Sequence, residues 1–119
     1  MPIPGNARPP RPDRIRSFPR RWAWFDCRLL EAGILATMTG EEAVLYIALL
    51  TVSDRKGLSW WRDDTLGKRA GLGEDQFHFA SQRLIEKGLV AFEPFRHGGR
   101  HGVWQVLDLA VAGEDRSGL

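Results

Sequence analysis

The sequence predicts an α+β domain, mostly helical, in which a run of short helices leads into a terminal β-hairpin. Three observations carry this reading. Thr39-Gly40-Glu41-Glu42 is a capping box, in which the threonine hydroxyl and the glutamate carboxylate satisfy amide donors that a helix start leaves unpaired. Gly71-Leu72-Gly73 separates two helix-forming stretches; a glycine there takes the left-handed conformation that closes a helix and turns the chain. Gly98-Gly99 lies between two apolar runs and is a two-residue hairpin signal, because both positions accept positive φ.

The elements follow in order. Asp26 is a good N-cap for a first helix running through Leu29 and Leu30 to about Ala32–Leu35. A second helix starts at the capping box, with Val44, Leu45, Ala48, Leu49 and Val52 at helical spacing, and ends before Asp54-Arg55-Lys56-Gly57. Leu58-Ser59-Trp60-Trp61 reads as a short extended segment. Asp63 or Asp64 then caps a third helix, Thr65–Ala70, with Leu66 and Ala70 inward. A fourth helix spans roughly Glu74–Lys87, burying Phe77, Ala80, Ser81 and Leu84 and ending at Gly88. Leu89–Phe95 and Gly102–Leu109 form the hairpin, with Arg96, His97, Arg100 and His101 around its turn.

The 119 residues suffice for one domain and are too few for two. The expected organisation is a Pro/Arg-rich flexible arm over 1–21, a folded domain over 22–109 and a frayed polar tail over 110–119. Charge divides along the same lines. Residues 1–21 hold six arginines against Asp13, a balance of +5, whereas residues 22–109 hold ten Lys/Arg against twelve Asp/Glu, a balance of −2. Prolines at 2, 4, 9, 10, 12 and 19 remove backbone donors and leave the arm extended. Trp22, Trp24 and Phe25 mark where the arm docks, and most of the five tryptophans are expected in the core. Trp60 and Trp61, being adjacent in an extended stretch, cannot both point inward. No apolar run approaches the ~18 residues of a membrane span, and an arginine-bearing start without an apolar stretch is not a secretory signal. Cys27 reads as core filler in a reducing, cytoplasmic setting.

Leu66, Ala70, Gly71, Leu72 and Phe77, followed by Leu84-Ile85-Glu86-Lys87-Gly88-Leu89-Val90, resemble the winged helix-turn-helix superfamily. There a short helix, a glycine turn and a recognition helix lead into an L-x-x-x-G-L-V phrase and a hairpin wing. The resemblance spans about residues 26–109 and implies that fold. It also implies kinship in layout with bacterial and phage transcription regulators, replication initiators and mobile-element accessory proteins. Two features depart from the pattern. The recognition helix opens Gly73-Glu74-Asp75 instead of with a Ser or Thr cap and basic residues, and Gly67 stands where alanine is common, weakening the supporting helix.

On this frame the expected partner is double-stranded DNA. A helix fits the major groove, and the outward residues of the fourth helix suit its base edges and phosphates: Gln76 and Gln82 for adenine, His78 and Arg83 for guanine or phosphate, Phe79 for a thymine methyl. Arg96, His97, Arg100 and His101 form a wing tip for backbone or minor groove. Lys68 and Arg69 add backbone contacts. Arg8, Arg11, Arg14 and Arg16 form an arm that gains affinity by releasing counterions. Glu74 and Asp75 suit a positive helix N-terminus yet repel phosphates. The alternative is a protein-interaction module whose acidic helix start and exposed aromatics dock a larger nucleic-acid-processing complex. His78, His97 and His101 lack cysteine partners, and the paired carboxylates sit at helix starts. No catalytic residue, metal site or cofactor is therefore expected. The expected assembly is a monomer or weak homodimer with no membrane partner.

Overall fold

Thr39 starts the longest apolar helix as the capping box requires. Its hydroxyl oxygen accepts from the Glu42 amide at 3.2 Å and its hydroxyl proton is donated to the Glu42 carboxylate at 3.0 Å. The computed structural model describes residues 8–17, 21–97 and 101–109. Four α-helices and a three-stranded antiparallel sheet make an α+β domain, mostly helical. In chain order they are α1 (Arg28–Glu31), α2 (Gly40–Val52), β1 (Leu58–Ser59), α3 (Asp63–Ala70), α4 (Glu74–Glu86), β2 (Val90–Pro94) and β3 (Gly102–Val106). Single 3₁₀ turns lie at Pro12–Arg14 and Leu35–Thr37. The sheet order is β1-β3-β2, so the hairpin recruits the two-residue β1 as an edge, pairing Leu58 with Gln105 and Ser59 with Trp104.

α2 packs chiefly on α4 and also meets α3 and β3. Its buried face is Glu42, Leu45, Tyr46 and Leu49, whereas Val44 is exposed and Ala48 and Val52 are half-buried. The sequence pattern placed Val44 inward; the true stripe is rotated by about one position, toward Tyr46. Asp26 lies close enough to act on the Tyr46 phenol, whose pKa is raised first by burial and then by that carboxylate.

Several boundaries differ from the sequence reading for local reasons. α1 is one turn long, because Gly33 takes φ +74 immediately after it. Asp26 still accepts the Arg28 amide at 2.9 Å, but the helix starts two residues further on. Cys27 is therefore an exposed N-cap residue and not core filler. α3 begins at Asp63 with Arg62 as its N-cap and no side-chain cap. Asp64 instead accepts from the Thr65 amide within the first turn. Strands β2 and β3 are shorter at their ends than the apolar runs that contain them. Gly98-Gly99, Arg100 and the tail 110–119 lie outside the described residues.

Two helix ends close by the same device. Gly71 at φ +75 lets the Leu72 amide reach the Gly67 carbonyl at 2.8 Å. Gly88 at φ +72 lets the Leu89 amide reach the Leu84 carbonyl at 3.0 Å, with the Gly88 amide on Ile85. Both are Schellman closures in which the left-handed residue satisfies late carbonyls. Gly67 has a separate cause. A Cβ there would stand 3.3 Å from the Phe77 ring, so the glycine lets α3 lie close to α4. An alanine there would need the Phe77 ring to give by a few tenths of an ångström.

α2 and α4 are also joined by charge. Lys87, the C-cap residue of α4, bonds the carboxylate of the buried Glu42 and donates to the Thr37 carbonyl at 2.6 Å. The Lys87 ammonium holds the Glu42 carboxyl below the usual range, against an opposing push from burial. Removing one partner of a buried pair leaves an uncompensated charge. Lys87 keeps a quarter of its side chain in water, so Glu42→Gln is expected to cost about 1–3 kcal/mol at pH 7. A depressed carboxyl contributes fully above its unfolded pKa and loses that contribution as pH falls through the folded value. Urea unfolding across pH should therefore show the gap between the two proteins closing in acid; a gap that stays constant down to acid unfolding contradicts this account.

Candidate nucleic-acid interface

The hairpin is held against the helices by Trp104. This residue, 3% exposed, meets the Phe77 ring edge-on at 6.1 Å and the Phe92 ring at 4.6 Å. Its indole N–H donates to the Asp63 carboxylate at 2.8 Å. One side chain of β3 thereby contacts α3, α4 and β2, and an indole suits the task because it offers both a large apolar body and a donor. Asp63, expected as a helix cap, is instead the acceptor that orients this ring.

Between α3, α4 and the hairpin the surface opens into a groove of about 1140 Å³. Its apolar lining includes Leu72, Ile85, Phe92 and Trp104. Lys68, His78, Gln82 and His101 supply polar and cationic groups to its walls, and Asp63, Asp64, Glu74 and Asp75 supply carboxylates. Asp64 is held below the usual carboxylate range by the Thr65 amide and then by the Arg62 guanidinium, with smaller help from the charge of His101. His101 flanks the turn end of the hairpin, where its carbonyl accepts from the Phe95 amide at 2.8 Å. Its Nδ1 is buried without a hydrogen-bond partner among the described residues. Its side chain lines the groove from the turn end of β3. Arg96 and His97 are exposed beyond it.

On α4, Phe77, Ala80, Ser81 and Leu84 are buried as their spacing predicts. Asp75, Gln76, His78, Phe79, Gln82 and Arg83 are all exposed. Phe79 leaves 67% of its surface in water and touches the His78 ring edge-on at 5.9 Å. Gln76 differs from the others. Its carbonyl oxygen accepts from the Gly73 amide at 2.8 Å and its amide donates to Glu41 of α2 at 3.2 Å. Both ends of the side chain assigned to adenine are thus occupied, one in closing the start of α4 and the other in tying it to α2. Lys68 and Arg69 are exposed on α3, as are Arg8, Arg11, Arg14 and Arg16. Arg11 forms a two-point pair with Asp13.

The aromatics depart furthest from expectation. Trp104 alone of the five tryptophans is in the core; Trp22, Trp24, Trp60 and Trp61 are all exposed. β1 ends at Ser59, so Trp60 and Trp61 lie in the connection to α3, free of strand alternation. Trp22-Ala23-Trp24 forms no strand. Among the described residues no three His, Cys, Asp or Glu side chains gather as a metal site, and no helix is long and apolar enough to cross a membrane.

Comparison with protein-family models, with curated proteins and with solved structures finds no match for this chain.

The Gln76 geometry gives a direct expectation. Gln76→Ala removes one cap bond and one cross-helix bond, about 0.5–1.5 kcal/mol together because both are exposed. In a domain of this size that is a loss of roughly 3–8 °C in melting temperature, readable by circular dichroism. Nucleic-acid affinity should be unaffected at temperatures where the variant is folded; an unchanged melting point with altered affinity would reverse the assignment.

Proposed function

We propose that the chain is a winged helix-turn-helix protein that binds double-stranded DNA and has no enzymatic activity of its own. α3, the Gly71 turn and α4 are the helix-turn-helix, and β2–β3 the wing. The observation that carries this reading is the placement of α4: its inner face is buried on α2 and α3, while its outer face stands clear beside the hairpin, across one open groove. A helix so exposed fits the major groove. His78, Gln82 and Arg83 are then the base-edge or phosphate contacts of α4. Arg96 and His97 are wing contacts, Lys68 and Arg69 are backbone contacts from α3, and Arg8, Arg11, Arg14 and Arg16 bind the backbone nearby. A cytoplasmic role in transcription, replication or mobile-element control accords with such a module.

A second reading, docking to a protein partner, is favoured by one feature of the same helix. Phe79 is exposed between Asp75 and Glu86, so the outermost ridge of α4 is acidic and aromatic. Carboxylates there oppose phosphate, whereas an exposed ring is a usual anchor at protein interfaces.

Fluorescence anisotropy of the full chain with a random 20-base-pair duplex, across a salt series, tests the first reading. Each phosphate contact adds about −0.9 to the slope of log K against log salt. Arg96→Ala is expected to weaken binding and to flatten the slope by about one such contact. Phe79→Ala should have little effect on this non-specific binding. No duplex binding at low salt, with Phe79→Ala abolishing capture of a protein partner, favours the second reading.

A further inference from the structure

Neither the helix-turn-helix nor the hairpin accounts for the aromatic segment that follows the arginine-rich stretch. Residues 21–26 adopt no regular secondary structure. Trp24 leaves 77% of its surface in water, Phe25 52% and Trp22 51%. Ala23 between the two indoles is half-buried. The two indoles lie beside each other, with centroids 4.9 Å apart and planes inclined at 40°. Directly before them Arg14, Arg16 and Arg21 are exposed. None of these three makes an ion pair among the described residues.

We propose that Trp24 and Phe25, beside Trp22 and with Arg21, form a second nucleic-acid site that takes unpaired bases of a single strand, beside the duplex site of α4 and the wing, with Arg14 and Arg16 serving the backbone of either ligand. The inference rests on the nucleic-acid reading above. Single strands bind where cationic side chains follow the backbone and aromatic rings offer stacking faces. Both components are present, adjacent in sequence and in water. Base pairs inside a duplex are already stacked, and reaching them with a ring requires prising a step apart; unpaired bases carry no such cost. Stacked rings lie ~3.4 Å apart, so the 4.9 Å between the indoles leaves no room for a base between them. Trp24, the more exposed of the two, is therefore the stacking platform.

Charge decides against the other occupants. A second copy seated on this patch would bring two segments of +5 together, without counter-charge from residues 22–30, where Asp26 and Arg28 pair with each other. A lipid surface is held by an amphipathic helix with a broad apolar face. Residues 8–17 hold one large apolar side chain, Ile15, and only a three-residue 3₁₀ turn. A polyanion with exposed aromatic faces matches both the arginines and the rings.

The test is anisotropy of the full chain with a twenty-nucleotide oligothymidylate and, in parallel, with a blunt duplex of equal length. Trp24→Ala, at a solvent-exposed position, is expected to weaken oligothymidylate binding by about ten-fold and duplex binding by less than two-fold. Trp24→Phe, which keeps a stacking face, should restore most of the loss. Equal losses on both ligands, or no oligothymidylate binding at low salt, overturn the proposal. So does tighter binding to vesicles of one part phosphatidylglycerol to three parts phosphatidylcholine than to oligothymidylate, or a dimer in light scattering that Trp24→Ala dissolves while oligothymidylate binding is unchanged. Oligothymidylate binding that depends on Trp24, in a protein that does not bind duplex, sustains this site and refutes the duplex reading alone.

Discussion

Trp104 is the side chain on which the geometry of the groove depends. Its ring packs on Phe77 of α4 and Phe92 of β2, and its N–H is anchored on Asp63 at the start of α3. A hairpin joined to its domain only at its base is free to swing, whereas one pinned across three elements holds a defined angle to α4. Close approach elsewhere supports the same arrangement. Gly102, at the start of β3, lies so near the Glu93 carbonyl that a Cβ would stand 2.2 Å from it. Gly67 lets Phe77 come against α3. Burial of a large aromatic with its donor satisfied contributes more per residue than any surface pair in a domain this small.

The second constraint is ionic and lies at the other end of α4. Glu42 and Lys87 tie the start of α2 to the end of α4, and Thr39 completes the arrangement by donating to the same carboxylate. Trp104 beside the start of α4 and Lys87 at its end restrain the helix from both ends. Its outward side chains are thus carried on a rigid element, which is what precise recognition demands.

Much of this was legible in the sequence because the signals were local. The Thr39 N-cap, the left-handed Gly71 and Gly88 and the inward spacing of Phe77, Ala80, Ser81 and Leu84 each depend on a few consecutive residues, and each stands as read. The sequence reading failed where the answer depended on contacts far along the chain. Asp63 looks like a cap until Trp104, 41 positions away, supplies a donor. Glu42 looks like half of a capping box until Lys87, 45 positions away, claims its carboxylate. Gln76 resembles a base-reading residue because its type suits adenine; that its amide reaches Glu41 depends on how α2 lies against α4. Composition misled most over tryptophan. Counting large aromatics suggested a core, yet four of the five stand in water. For Trp22 and Trp24, their position after an arginine-rich stretch was the signal that pointed outward.

The central claim is that the outward face of α4 and the hairpin beside it form one duplex-binding surface. The most direct measurement is a titration of the isotopically labelled full chain with a short duplex, followed by amide chemical shifts in two-dimensional NMR. The account predicts perturbations concentrated at His78, Gln82 and Arg83 on α4, at Lys68 on α3 and at Arg96 and His97 on the hairpin, with Leu45 and Leu49 in the core of α2 unmoved. Saturating duplex that leaves α4 and the hairpin unperturbed, while shifting residues elsewhere, would contradict it.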